Sequence, residues 1–267
     1  MFSYDRKSSP DLVKYGIEYR NGTSICDIRF AGLAQEKIKA YLVMPSGSGP
    51  FAGIVFLHPG PGSRSTFLDE ALILAGKGAS SLLIEAPWAD GPAFGMRASG
   101  KPEDVREWFK QITIDLRRAI DLISSIPSVD KDRIACVGHS IGALFAGILS
   151  GSDERINASV LMAGVGSFTD VAALNMPGLV GDELERYRQI MQPIDPVGFV
   201  RNAAPSALFF QFGLQDVFFP KQNFLDFFAA GSEPKVVQWY DADHYSLNEA
   251  GRSDRIEWLK SVLALKA

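Results

Sequence analysis

Five short stretches, residues 53–57, 80–84, 134–137, 158–162 and 207–212, are almost wholly apolar, and turns containing glycine or proline follow them. Strands covered on both faces carry this pattern, because neither side of the pleat meets water. The runs between them have the helical period. The clearest places Val105, Trp108, Phe109, Ile112, Leu116, Ala119, Ile120 and Ile123 on one face and predicts a helix over residues 102–125. Pro102 suits the first helical position, and Glu103 and Asp104 complement the positive helix start. Residues 24–30 and 37–44 mix β-branched, aromatic and polar side chains around a polar stretch at 34–36, the pattern of an antiparallel edge meander. Alternating strands and helices predict an α/β fold with a mainly parallel sheet and helices on both faces. Ligands of such sheets gather at the carboxyl ends of the strands. Residues 164–195 break the alternation, with Met176-Pro177-Gly178 as a breaker and a charged helix candidate at 182–191. This segment reads as an insertion over the sheet, a cap or lid.

The chain has 267 residues, 46% of them apolar, enough to bury a sizeable core as one α/β domain with that insertion. A net charge of −4 leaves no basic footprint for nucleic acid or an anionic membrane and favours a small-molecule partner. Cys26 and Cys136 are the two cysteines, too few for a disulfide framework. The first ten residues are polar and lack a signal-peptide pattern, and no apolar run reaches about 18 residues. The expectation is a cytoplasmic protein.

Candidate chemistry enters with Gly138-His139-Ser140-Ile141-Gly142, between an apolar strand and a helical run. Strand, tight turn and helix are the setting of a nucleophile elbow, in which the glycines let the chain turn sharply and push the serine out. A serine hydroxyl needs a base, and the base needs a carboxylate to hold one tautomer. Of the three histidines, His139 adjoins the serine and suits packing, His58 belongs to another loop, and His244 follows the last apolar strand. Asp216 stands just beyond the strand ending at Phe212, between serine and histidine in the order associated with this elbow. Asp170, after the preceding strand, is the alternative. Asp241 and Asp243 lie too close in sequence to His244 to orient its ring. The Ile141 amide follows the nucleophile at a helix start, and the turn His58-Pro59-Gly60-Pro61-Gly62 offers a second oxyanion donor. Its prolines have no N–H, so Gly60 is the candidate, with Gly62 second.

These motifs resemble the α/β-hydrolase superfamily, and within it the chain is similar to dienelactone-hydrolase-like esterases and to the catalytic domain of prolyl-oligopeptidase-type enzymes. The resemblance runs from residue 36 to 265 through His58-Pro59-Gly60, Glu85-Ala86-Pro87, the serine motif, 213–216 and Asp243-His244. It implies an eight-stranded sheet with the second strand antiparallel, a Ser140-Asp216-His244 triad, and no metal or organic cofactor. Three departures stand out. Ser140 replaces the cysteine of dienelactone hydrolases, His58-Pro59 replaces the usual His-Gly, and no propeller-sized domain precedes the catalytic part.

A pocket is expected from Trp88, Phe94, Met96, Phe168, Met176 and Phe218, with Leu179 and Phe219 nearby. Aromatic and apolar side chains at such loops serve either core packing or ligand contact. Arg64 and Arg97 are read as surface charges, with carboxylate binding as the alternative. The function expected is a serine hydrolase of small carboxylic esters acting through an acyl-enzyme. An amidase or peptidase with the same triad, or a non-catalytic binding protein on the same fold, are the rivals.

Overall fold

The computed structural model describes residues 1–34 and 36–266. Gln35, inside the polar stretch expected between the first two strands, and Ala267 lie outside the described residues. The strands are β1 (Val13–Arg20), β2 (Thr23–Ala31), β3 (Lys37–Met44), β4 (Phe51–Leu57), β5 (Ala79–Ile84), β6 (Val129–His139), β7 (Ile156–Met162), β8 (Ala207–Gly213) and β9 (Lys235–Tyr240). They form one sheet in the order β1-β2-β3-β5-β4-β6-β7-β8-β9. β1, β2 and β3 pair antiparallel, and β3 is antiparallel to β5. From β5 to β9 every neighbouring pair is parallel.

The described sheet therefore has nine strands rather than the eight expected, and the reversed strand that meets the parallel block is the third. The additional strand is β1. Its side chains are exposed along the whole length, so it lacks the buried positions that mark its neighbour β2. A local signal exists all the same. Val13, Tyr15, Ile17 and Tyr19 alternate with Lys14, Gly16, Glu18 and Arg20, and Asn21-Gly22 follows with φ of 50° and 81°. Asn-Gly with both residues at positive φ is the favoured two-residue hairpin turn.

The helices are α1 (Leu68–Gly76), α2 (Gly91–Ala98), α3 (Pro102–Ser124), α4 (Ile141–Ser152), α5 (Phe168–Asn175), α6 (Gly181–Met191), α7 (Pro196–Val200), α8 (Lys221–Ala230), α9 (Leu247–Ala250) and α10 (Arg252–Val262). α3 ends one residue short of the expected limit. Its eight periodic apolar residues are all buried, and burying each large one contributes about 1.5–3 kcal/mol. α1 and α10 cover one face of the sheet, over Ile54, Phe56, Leu83 and Val137. α3, α4 and α8 cover the other, over Val55, Leu57, Leu82 and Cys136. Between α1 and α10 a fully buried Arg255 donates to both Glu70 carboxylate oxygens, at 2.9 and 2.5 Å.

Residues 164–195 contain α5, α6 and a short 3-10 turn, Gln192–Ile194. α6 packs on α3 and α5. Asp195 accepts the Phe168 N–H at 2.8 Å, tying the start of α5 to the chain entering α7. Among the described residues no helix is long and apolar enough to cross a membrane.

Candidate active site

The site stands at the carboxyl ends of β4, β6, β8 and β9. β4 lies between β5 and β6, and the chain leaves β4 for one face of the sheet and β6 for the other. Such a switch in direction opens a crevice at the strand ends. Leu57 pairs beside Gly138, so the turn starting at His58 and the elbow at Ser140 are neighbours.

Ser140 sits at φ 55°, ψ −122°, a conformation a serine adopts only when its surroundings impose it. Two close approaches do so. A Cβ on Gly138 would collide with the Gly142 carbonyl, and one on Gly142 with the carbonyls of Leu57 and His58. The Ser140 N–H donates to the Met162 carbonyl at 2.8 Å, and its own carbonyl accepts from Ala143 at 2.8 Å as α4 begins.

His244 Nε2 lies 2.9 Å from Ser140 Oγ, and Nδ1 lies 2.7 Å from Asp216 Oδ2. The His244 and Asp216 side chains are both buried. Backbone stitches bring them together: Leu214 N–H donates to the Tyr240 carbonyl at 2.8 Å, and Gln215 N–H to the Ala242 carbonyl at 3.0 Å. The other Asp216 oxygen accepts the Phe218 N–H at 2.9 Å. Behind His244, the Arg255 guanidinium also donates to the Asn248 carbonyl at 3.0 Å, holding the segment that carries the histidine.

The rival carboxylates are engaged elsewhere. Asp241 accepts from Gln215, and Asp243 caps its own turn through the N–H groups of Tyr245 and Ser246. Asp170 accepts from Asn223 Nδ2 at 2.6 Å, and burial raises its pKa.

The other histidines are buried and structural. His58 Nε2 accepts the Ala86 N–H at 3.1 Å, and Nδ1 lies 2.7 Å from the Pro59 carbonyl. Burial lowers its pKa, so the neutral ring donates from Nδ1. The Trp88 indole N–H donates to the His58 carbonyl at 2.8 Å, which fixes the turn. His139 Nε2 lies 2.8 Å from the His244 carbonyl. Burial, and then the nearby His244, push its pKa down to about 3, so this ring too is neutral and donates from Nε2.

Ser140 and His244 open onto a cavity of about 590 Å³. Gly60 and Ile141 line it beside Ser140, and a Cβ built on Gly60 would rest 3.8 Å from Ile141 Cγ2. Gly62, the second donor candidate, instead lies against the Pro59 carbonyl and the His58 ring. No group of three or more His, Cys, Asp or Glu side chains able to hold a metal ion occurs among the described residues.

The profile of the alpha/beta hydrolase family matches residues 54–262. The chain belongs to that family. No curated protein matches it by sequence. Among solved structures it is similar to acetyl xylan esterase 1 from Thermoanaerobacterium sp. JW/SL YS485, with a TM-score of 0.76 and 15% identity over 96% of this chain and 89% of the other. It is also similar to the acetyl xylan esterase from Paenibacillus sp. R4, with a TM-score of 0.74 and 18% identity over 96% and 90%. A cold-adapted esterase from an Arctic intertidal metagenomic library gives 0.66 and 15% over 94% and 99%. At such identities the likeness is one of fold.

In this alpha/beta hydrolase the expected pocket residues Trp88, Phe94, Phe168, Met176 and Phe218 line the cavity, as does Phe219. Met96 does not: it is 78% exposed on the outer side of α2, while Phe94, Gly95 and Ala98 line the cavity. Leu179 packs on the core outside the lining. Neither arginine reaches the cavity. Arg64 pairs bidentately with Asp27, at 2.6 and 3.0 Å, and stacks on Tyr41, and Arg97 lies over the Trp108 ring. Arg64 is therefore a part-buried structural cation rather than a plain surface charge. The lining also includes residues outside the expected set, Phe109 and Tyr187 among them. Phe109 shows the same apolar period whether it faces core or cavity. Tyr187 belongs to a charged helix whose period alone does not reveal what it covers.

Proposed function

We propose that this alpha/beta hydrolase cleaves small carboxylic esters through an acyl-enzyme on Ser140. The observation that carries the reading is the hydrogen-bonded line from Ser140 Oγ to His244 Nε2 at 2.9 Å and from Nδ1 to Asp216 at 2.7 Å, at the wall of a partly open cavity. Ser140 Oγ attacks the ester carbonyl carbon while its proton passes to His244 Nε2. Asp216 remains ionised, holds the ring and stabilises the imidazolium. The amides of Ile141 and Gly60 receive the developing oxyanion, an interaction whose loss costs on the order of 10²–10³ in rate. His244 then gives the proton to the departing alcohol oxygen. A water attacks the acyl-enzyme with the proton again taken by His244, and the carboxylic acid leaves as Ser140 regains its hydrogen. In this reading α5 and α6 act as the cap that keeps bulk water from the reacting atoms. The likeness to solved esterases supports ester substrates.

The test is hydrolysis of p-nitrophenyl esters from acetate to decanoate by the wild type and by Ser140→Ala at matched concentration. The expected result is turnover favouring short chains and a fall of at least about 10³-fold in the variant. Absence of turnover with every ester would redirect the reading to amide substrates or to a binding role.

A further inference from the structure

A short acyl group leaves most of a 590 Å³ cavity unfilled. Its walls carry the rings of Trp88, Phe94, Phe109, Phe168, Phe218 and Phe219. Flat π-faces at several angles suit an aromatic guest, which gains contact area and edge-to-face geometry there.

One wall residue is of a different kind. Tyr187, on α6, is only 4% exposed and lines the cavity, yet its hydroxyl has no hydrogen-bond partner among the described residues. The oxygen is not among the fully enclosed, unpartnered side-chain atoms of the described residues, so it keeps accessible surface with which a guest can pair. The remaining polar lining is engaged or outside: Asn175 donates to the Val171 carbonyl and Ser99 to the Gly95 carbonyl, and Tyr245 is exposed. Burial, and then the Asp195 carboxylate, push the phenol up to about 12, so it remains a neutral donor and acceptor at neutral pH.

The charges around it select the partner's type. Asp195 is held by the Phe168 N–H and by Ser167, and Asp170 by Asn223. Arg188 is the cation whose charge acts on both carboxylates, and it pairs with Glu185. The Asp195 carboxylate disfavours an anionic substituent beside Tyr187, whereas a neutral hydroxyl both donates and accepts without that penalty.

Resting on the hydrolase reading above, we propose that the substrate carries an aromatic ring with a neutral hydroxyl substituent, and that the Tyr187 hydroxyl recognises that substituent. Tyr187 is thereby a specificity-determining residue.

Two substrate pairs test this, one for each side of the ester. Methyl 3-phenylpropionate is compared with its 4-hydroxyphenyl analogue, and phenethyl acetate with 4-hydroxyphenethyl acetate. The two-carbon spacer insulates the ester from the ring substituent, so intrinsic reactivity is matched within each pair. In at least one pair the hydroxyl should raise kcat/KM of the wild type about fivefold, the range of one neutral hydrogen bond. In Tyr187→Phe that ratio should fall to one or below, because the guest hydroxyl is then buried unpaired. Calorimetry with Ser140→Ala, which keeps the whole cavity, should show the same preference as tighter binding without turnover. A wild-type ratio of one or less in both pairs, an unchanged ratio in Tyr187→Phe, or equal binding within both pairs by Ser140→Ala would each overturn the assignment. Failure of the hydrolase reading itself shows separately, as turnover of all four esters that survives in Ser140→Ala.

Discussion

The His139 ring donates from Nε2 to the backbone carbonyl of His244 at 2.8 Å, so the residue preceding Ser140 holds the chain that carries His244. Because burial keeps His139 neutral, the donor does not come and go across the neutral pH range. His139→Leu should lower kcat about tenfold with KM little changed, since the His244 ring loses its backbone anchor. His139→Gln, whose amide nitrogen reaches a similar position, should restore most of it. Steady-state kinetics on a p-nitrophenyl ester decides this, and wild-type kcat in the leucine variant would refute it.

Asp216 binds His244 with one oxygen and the Phe218 N–H with the other. Asp216→Asn keeps an acceptor for the amide, so the loop should hold its shape. The imidazole, however, loses its preferred tautomer and the charge that stabilises it as imidazolium. A fall of about 10⁴ in kcat is expected, with a melting temperature close to wild type.

Gly142 offers a structural test of the elbow. A methyl group there meets the carbonyls of Leu57 and His58, and α4 would have to move away from β4 to make room. Gly142→Ala should lower the melting temperature by about 5 °C or more, or prevent recovery of folded protein, in the manner of an overpacked core. Thermal denaturation monitored by circular dichroism reads this directly.

Acid should unfold the protein earlier than an ordinary carboxylate count suggests. The folded-state pKa of His139 is about 3, below the roughly 6.5 of a free histidine. The unfolded chain therefore binds that proton more readily between those values. Stability contributed by the neutral ring is complete above about pH 6.5 and is lost as pH falls toward 3, by up to about 1.4 kcal/mol per pH unit. Melting temperatures measured from pH 7 to pH 4 should decline, and His139→Gln should flatten the decline.

Asp195 works in the opposite direction. Burial pushes its carboxyl up to about 6, so the stability it contributes when protonated is lost as pH rises from about 4 through 6. Asp195→Asn keeps the acceptor for Phe168 without the buried charge. It should melt a few degrees above wild type at pH 8, an advantage that shrinks at pH 5. A lower melting temperature than wild type at pH 8 would contradict the assignment.

The parallel sheet and the serine elbow were legible because both are local. Runs such as 53–57 and 134–137 are apolar throughout since both faces are covered, and Gly138 and Gly142 mark a turn too tight for side chains. β1 escaped detection because its side chains are all exposed, leaving only the Asn21-Gly22 turn as a sign of it.

Motif and chain order along the sequence singled out Ser140 and His244 and favoured Asp216 over Asp170, and apolar runs determined which segments would be buried strands. Whether Asp216 or Asp170 faces His244 was decided only by tertiary structure, through the backbone stitching of residues 214–215 to 240–242. The same holds for the pocket: Phe94 turns into the cavity and Met96, two residues on along α2, turns away from it. Tyr187 meets the cavity because α6 packs against α3 and α5. Periodicity reports that a helix has a buried face, whereas what that face covers depends on chain far away in sequence.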